Sequence, residues 1–552
     1  MESELSAANG RSPKALPLLF GLVAALVLSA WLNRFVQDDA FISFVYARNL
    51  VEGHGLTFNA GEYVEGYTNF LWTLMIAAGI RAGLDPIAWS YLLGLAFFAG
   101  SLLATYGLAA EISGSATTGL VATLLLGTNF SFNAYATGGL ETQMQAFLIV
   151  VSVLLSLRAT RGAQASPRLL ALASCSYGLA VLTRLDSAAC LVLPGLVVAA
   201  KVARDEGGAG ARLARAGAFV APATLLVAPW LAWKISYYGG VLPNTFYVKA
   251  ASSASLLRGI HYVYRFFATY WLLPLAVVTL LALPRQVLAT LRRGAPWGLT
   301  LVATVTLWCA YVASVGGDFM EFRFMVPILP LIIVLLSWCL FAVVDDRRLR
   351  AAVVSAVVLG SLFHATTYFG VRGIETIDSL AIHMEPDGGD WDEVGRSLGG
   401  YFGPGSGVVI AVGPSGAIPY YSRLQTVDMR GLVDPWVARN GLIVSSAPGH
   451  QRMAPLSYLV DRGVNLVVGH PQVVPRQGGL PEAYTRSSMA ALGLADVATA
   501  RFPGGARILA IPMSEDRLLL ALYLVPSPEV ERAIAEHGWT TVPLVDSIEP
   551  LR

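Results

Sequence analysis

The chain has 552 residues, 55% of them hydrophobic and only 13% charged, with a formal net charge of +2. Soluble domains usually carry about twice that charged fraction, so the composition excludes an ordinary soluble protein and indicates a polytopic membrane protein. The small net charge gives no electrostatic case for nucleic-acid binding.

Apolar runs long enough for a ~30 Å hydrocarbon core lie near 15–33, 68–83, 88–110, 117–136, 142–157, 169–183, 187–203, 216–235, 262–283, 296–315, 324–343 and 351–370. The first follows Arg11 and Lys14. It is long for a signal core and lacks a clean cleavage site, so it reads as an uncleaved helix with a cytoplasmic N-terminus. Arg81, the cluster Arg158, Arg161 and Arg168, and the cluster Lys201, Arg204, Arg212 and Arg215 mark cytoplasmic loops. Arg285, Arg292 and Arg293, and then Arg347, Arg348 and Arg350, mark two more, because basic residues accumulate on the cytoplasmic side. Two runs, 88–110 and 117–136, separate Arg81 from an outer Glu141, so one of them is re-entrant or half-spanning. About eleven crossings result, with the C-terminus outside.

Residues 1–370 therefore form a transmembrane module. Residues 371–552 contain no membrane-length apolar run. They alternate strand-like runs such as GVVIAVG (407–413) and NLVVGH (465–470) with helix-like stretches such as Asp390–Leu398. This predicts an extracytoplasmic α/β domain of about 180 residues, a normal size for one domain. The cysteines, Cys175, Cys190, Cys309 and Cys339, sit in apolar segments without metal-like spacing or a disulfide framework.

Every polar cluster with chemical potential falls on the outer face. Asp38 and Asp39 follow the first run and open a segment whose Phe41, Phe44, Val45 and Leu50 recur at helical spacing. The spacing predicts an amphipathic helix lying along the membrane surface. Either acid caps that helix, serves as a general base toward a hydroxyl, or ligates a divalent cation; the spacing leaves all three open. Glu141, after two glycines, caps the next helix or supplies a second cavity acid. Arg184 pairs with Asp186 across a turn or meets a phosphate, which suits its planar fork. In YYGGVLPNTFYVKA (237–250) the aromatics anchor an interface, or Asn244 binds a sugar and Lys249 a phosphate. Asp318, Glu321 and Arg323 crowd a membrane edge after Gly316 and Gly317. His54 is a lone loop histidine. No P-loop, GxGxxG, HExxH or GxSxG motif occurs. A transferase built this way takes its activated group from a membrane-soluble donor.

The stretch DDAFISFVYARNLVEGHGLTFNAGEYVEGYTNFLW (38–72) resembles the first extracytoplasmic loop of GT-C glycosyltransferases. With PNTFYVKA (243–250), GGDFMEFRFMVP (316–327) and DMRGLVDPWVAR (428–439), it is most similar to the mycobacterial terminal β-(1→2)-arabinofuranosyltransferase family. The resemblance runs from the first helix into the C-terminal domain. It implies an inverting enzyme of the bacterial plasma membrane. The donor would be a polyprenyl-phosphate sugar, such as decaprenyl-phosphoryl-arabinofuranose, and the acceptor a cell-envelope glycan hydroxyl. It also implies Asp39 or Asp38 as the base, Asp39 favoured, with Glu141 as second acid. Arg184, Lys249 and Arg323 would face the leaving phosphate, with Asn244 and Asp318 contributing to substrate binding. A divalent cation, Mg or Mn, is used by some of that group and stays open here. Two rival readings are a flippase for lipid-linked sugars, which would show inverted repeats and midplane charges, and a glycan-binding envelope scaffold, for which a dozen apolar runs are excessive.

Overall fold

The structure, a computed structural model, describes residues 15–249, 255–292, 296–367, 373–386, 388–497 and 499–545. The helical part comprises α1 (Ala15–Leu32), α2 (Asp38–Val51), α3 (Phe70–Arg81), α4 (Pro86–Ser113), α5 (Ala116–Thr128), α6 (Phe130–Ala134), α7 (Thr142–Thr160) and α8 (Pro167–Thr183). It continues with α9 (Ser187–Arg204), α10 (Ala209–Tyr238), α11 (Asn244–Lys249), α12 (Ser255–Thr269), α13 (Leu273–Arg292) and α14 (Trp297–Ser314). A 3-10 turn over Arg323–Ile328 then runs into α15 (Leu329–Val343), and α16 (Arg347–Thr367) follows. Among the described residues, eight helices are long and apolar enough to cross a membrane, or nine if the bent pair α12–α13 is one span. The expected eleven is therefore not reached by length and composition alone.

Three of the apolar runs differ from their linear reading. The run at 262–283 is broken by a 103° bend between α12 and α13, where Trp271 takes a left-handed conformation with φ +53°. The run at 117–136 ends as a regular helix at Asn129, whose extended backbone and side chain, bonded to the Phe132 N–H, start α6 anew. The third is 68–83. Contacts along α4 and α7 advance together, from Gly94 against Ala136, through Gly100 on Phe147, to Gly107 on Leu154. At its far end Glu111 pairs with Arg158 and Arg161. The two helices thus run parallel, and the start of α4 lies at the Glu141 end. Arg81, just before it, shares that end rather than the Arg158 end. The short α3 is an apolar helix of twelve residues packed on α2, α4 and α8, and apolar composition cannot tell burial against protein from burial in lipid.

Helix α2 also departs from a surface helix. Ten of its fourteen residues are buried, since the apolar face that the sequence pattern lays on the membrane surface packs against the C-terminal domain instead. Phe41 packs on Tyr420 and Tyr421, and burying one such ring contributes roughly 1.5–3 kcal/mol.

The C-terminal part begins with α17 (Ile377–Ile382) and α18 (Trp391–Phe402) and is built on a seven-stranded sheet. Its strands are β1 (Val409–Val412), β2 (Gln425–Asp428), β5 (Leu466–Pro475), β6 (Tyr484–Thr485), β7 (Arg507–Pro512), β8 (Arg517–Tyr523) and β9 (Thr540–Val545), in the order β2-β1-β5-β8-β7-β9-β6. A separate ribbon pairs β3 (Leu442–Ile443) with β4 (Arg452–Met453). Strands β2, β1 and β5 are parallel. The chain leaves β1 to one side for β2 and reaches β5 on the other, so a crevice opens at their carboxyl ends, where parallel sheets usually hold ligands. The predicted runs at 407–413 and 465–470 supply the two strands that flank it.

Candidate functional site

A cavity of about 420 Å³ lies where that crevice meets the ends of the helices. This is within the usual size range for a small-molecule site. Helix α2 contributes Asp38, Asp39 and Ser43, preceded by Gln37. The loops before α3, α7 and α9 contribute Asn69, Glu141 and Arg184, and the 3-10 turn contributes Arg323. The C-terminal domain closes it with Glu375, His383, Trp391, the loop Gly413–Ser415, Arg430, His450 and His470.

The adjacent acids are not equivalent. Asp38 is buried; its two oxygens accept the N–H groups of Ala417 at 2.7 Å and Gly416 at 3.0 Å. It thereby caps α19 (Ala417–Ser422), a helix 378 residues further along the chain. The approach requires glycine, since a Cβ at Gly416 would lie 1.9 Å from the Asp38 carbonyl oxygen. Asp39 is the acid that lines the cavity with accessible surface, 28% of its side chain, and Oδ2 lies 4.0 Å from Nη1 of Arg323. A base must reach the proton it takes, and that geometry favours Asp39.

Burial pushes Asp38 up to about 7, against the pull of the Ala417 N–H and with a further push from Asp39. The folded protein therefore holds this proton in a window, from roughly pH 4 to pH 7, where the unfolded chain releases it. Stability from this group is complete below that window and is lost as pH rises through 7. The melting-temperature advantage of wild type over Asp38→Asn should accordingly shrink between pH 4 and pH 8. An advantage that grows over that interval would contradict the assignment.

Glu141 is buried and accepts from Nη1 of Arg184 at 2.8 Å and from Nδ2 of Asn69 at 2.7 Å. Burial alone would raise its carboxyl, but the Arg184 guanidinium and Asn69 hold it below the usual carboxylate range. Arg184 also grips Asp186 through Nη2 at 2.7 Å, so the turn pairing expected at 184–186 and a reach into the cavity both occur. Arg323 lines the cavity, with Nε on Asp318 at 2.7 Å. Asp318 itself is fully buried and does not line the cavity; it holds Arg323 and the Phe319 N–H from behind. The preceding Phe322 takes φ +44°, a strained state for a bulky residue that costs on the order of 1–3 kcal/mol. Its ring is locked among Tyr262, Phe266 and Tyr270.

Asn244 is displaced from its expected role. Its Nδ2 donates to the Gly431 and Leu432 carbonyls at 2.8 and 3.0 Å, fastening α11 to the C-terminal domain, and the neighbour Thr245 lines the cavity instead. The side chain of Lys249 lies outside the described residues. His54 is an exposed loop residue 4.0 Å from Glu52.

Sequence reasoning missed the C-terminal wall. His383 stacks on Trp391 with ring centroids 4.2 Å apart, and His470 meets Trp391 edge-on. Burial, then mutual or Arg430 charge, keeps His383 and His470 below the usual histidine range. Arg430 lies within DMRGLVDPWVAR and His470 closes NLVVGH, but neither run marks a ligand by spacing. Gln37 was also missed; it is buried, and its amide makes no hydrogen bond among the described residues.

Among the described residues, no group of three or more His, Cys, Asp or Glu is arranged to hold a metal ion. Of the cavity acids, Asp38 is spent on two N–H groups and Glu141 on Arg184 and Asn69, which leaves Asp39 and Glu375 as the carboxylates a cation would have to use. Hard cations need several free oxygens.

Residues 380–511 match a family model described as a domain of unknown function, DUF8728. The chain is 29% identical over 407 residues to a terminal β-(1→2)-arabinofuranosyltransferase of Corynebacterium glutamicum, covering 66% of this chain and 57% of that one. It is 37% identical over 68 residues to the Mycobacterium tuberculosis protein of the same name, covering 12% and 10%. The matched region thus spans a little over half of the first relative and a tenth of the second. Among solved structures, ArnT from Cupriavidus metallidurans bound to undecaprenyl phosphate superposes with a TM-score of 0.58 at 13% identity, covering 93% of this chain and 98% of that one. Its apo state gives 0.55 at 14% identity, covering 92% and 98%. At such identity the likeness concerns fold alone. The fold is of the GT-C type, a multi-pass helical membrane module joined to a sheet-containing C-terminal domain.

Proposed function

We propose that this chain is a GT-C glycosyltransferase of the bacterial plasma membrane. It moves a sugar, D-arabinofuranose as first choice, from a polyprenyl-phosphate donor to a cell-envelope glycan hydroxyl. The carrying observation is the cavity in which Asp39 stands 4.0 Å from Arg323 beneath the loops of a second domain. The sequence similarity to named arabinofuranosyltransferases supports the choice of sugar.

In this reading the cavity lies on the outer face. Asp39 accepts the proton of the acceptor hydroxyl, and that oxygen bonds to the anomeric carbon. The bond from anomeric carbon to phosphate oxygen breaks, and its electron pair leaves with the polyprenyl phosphate. One displacement inverts the anomeric centre. The departing oxygen is already part of a stabilised anion, so it needs cationic groups rather than a strong general acid. Arg184, Glu141 and Asn69 hold the cavity floor rigid. The His383, Trp391 and His470 wall suits the acceptor, since flat rings pack on the C–H face of a sugar and neutral imidazoles both donate and accept toward hydroxyls.

The test is transfer by the purified full chain from polyprenyl-phosphoryl-arabinofuranose to a short arabinan. Product formation supports the reading. Movement of the lipid-sugar across liposomes with no glycosidic product would favour the flippase. Donor binding without transfer would keep the class and redirect the search to another sugar.

A further inference from the structure

Among the described residues, the two arginines nearest the acid pair are already committed. Arg184 is matched by Glu141 and Asp186, and Arg323 by Asp318 and, at longer range, Asp39. Two guanidinium groups thus face four carboxylates. A phosphate ester entering that end of the cavity competes with these carboxylates for the two guanidinium groups, and like charges in a poorly solvated site repel strongly.

Arg430 differs. It lines the same cavity and is half-buried. Among the described residues no carboxylate stands within ion-pairing distance of its guanidinium; Asp428 and Glu375 are close enough only to feel its charge. Its positive field reaches the imidazoles beside it. Burial and then Arg430 bring His450 down to about 4, and the same two causes lower His470. A half-buried cation among neutral rings lacks its counter-ion, and burying a charge is costly unless it is paired.

The backbone around it is built to hold position. The Asp428 carboxylate accepts the Arg430 N–H at 2.8 Å and the Val433 N–H at 2.9 Å. Gly431 takes φ +85°, and a Cβ there would lie 2.7 Å from the Ala438 nitrogen. Asn244 ties the Gly431 and Leu432 carbonyls to α11, close to the end of the membrane helix α10. The loop is thus fixed beside the segment that follows α10.

We propose that the Arg430 guanidinium is the receptor for the phosphate of the lipid-linked donor and remains with it as the leaving group. The identity of the lipid rests on the glycosyltransferase reading; the phosphate site does not. An arginine fork suits phosphate through paired N–H donors. Asn244 is then a positioning residue, holding the Arg430 loop down rather than touching substrate.

The experiment is equilibrium binding of polyprenyl phosphate, polyprenol and inorganic phosphate to the full chain in detergent, for wild type, Arg430→Met, Arg430→Lys and Asn244→Ala. Loss of a charge-assisted contact should weaken polyprenyl phosphate binding by about ten-fold or more in Arg430→Met. Lysine should restore part of it, and polyprenol should bind all variants alike. Asn244→Ala should weaken the phosphate ligand less than Arg430→Met does. Unchanged polyprenyl phosphate affinity in Arg430→Met would overturn the proposal, as would an equal loss for polyprenol. Inorganic phosphate binding as tightly as the lipid would overturn the headgroup assignment. Arg430-dependent phosphate binding without any sugar transfer would leave the site standing and remove the transferase reading. Transfer with Arg430-independent binding would do the reverse.

Discussion

Asp39→Asn is expected to lower kcat by about 10²–10⁴-fold, the usual worth of a positioned general base. Donor affinity and melting temperature should stay close to wild type, because the 28%-exposed Asp39 side chain faces the cavity rather than the core. The neighbouring Asp38→Asn should behave differently. An amide keeps one acceptor but presents an N–H₂ to the second backbone donor at Gly416 and Ala417, so its main defect is a loosened C-terminal domain. Initial rates at saturating donor and acceptor, beside thermal melts, separate the two. If Asp39→Asn turns over normally and Asp38→Asn is dead yet fully folded, the roles of the pair are reversed.

Arg184→Ala should produce the largest loss of stability, on the order of 3–5 kcal/mol, since breaking a buried pair strands its partner. The loss falls mainly on Glu141, because Asp186 keeps Gln145 and Tyr311 as donors. Glu141 is buried and is left with Asn69 alone, and Asp186 loses its closest cation. Adding Glu141→Gln to Arg184→Ala should recover part of the lost stability, because the amide removes the uncompensated charge. Chemical denaturation of the three variants measures this. A double variant less stable than Arg184→Ala would show that Glu141 matters through something other than its pairing with Arg184.

The first outer loop was legible in the sequence because its chemistry is local. Two acids at the end of an apolar run, followed by helical spacing, were enough to place α2 and to single out Asp38 and Asp39. The division of labour between them was not legible, because it depends on Gly416 and Ala417, more than 370 residues away. The same distance hid the burial of α2, whose apolar Phe41 and Phe44 are covered by Tyr420 and Tyr421. The segment 68–83 reads as a crossing by hydropathy, which records only that a helix avoids water and not that α3 packs on other helices. Asn244 stood in a motif that looked chemical, yet its amide serves the backbone of Gly431 and Leu432. Arg430 stood inside a motif that carried the resemblance, but nothing in the motif singled it out. A single arginine in a loop acquires meaning only when the carboxylates around every other cavity arginine can be counted.

The cap that Gly416 and Ala417 place on Asp38 also bears on biogenesis. During synthesis the spans through Thr367 leave the ribosome first, and residues 409–475, which complete the crevice, follow. Until they arrive, the acid pair has no roof and Asp38 no partners from the sheet. On the proposed reading, a nascent chain seated in the bilayer would therefore lack a closed site. An activated lipid-sugar that drifted into it would meet open water rather than a closed chamber, and the half-made protein would have no means to hold it there for hydrolysis. On the same reading, the arrival of residues 409–475 is what would complete the chamber.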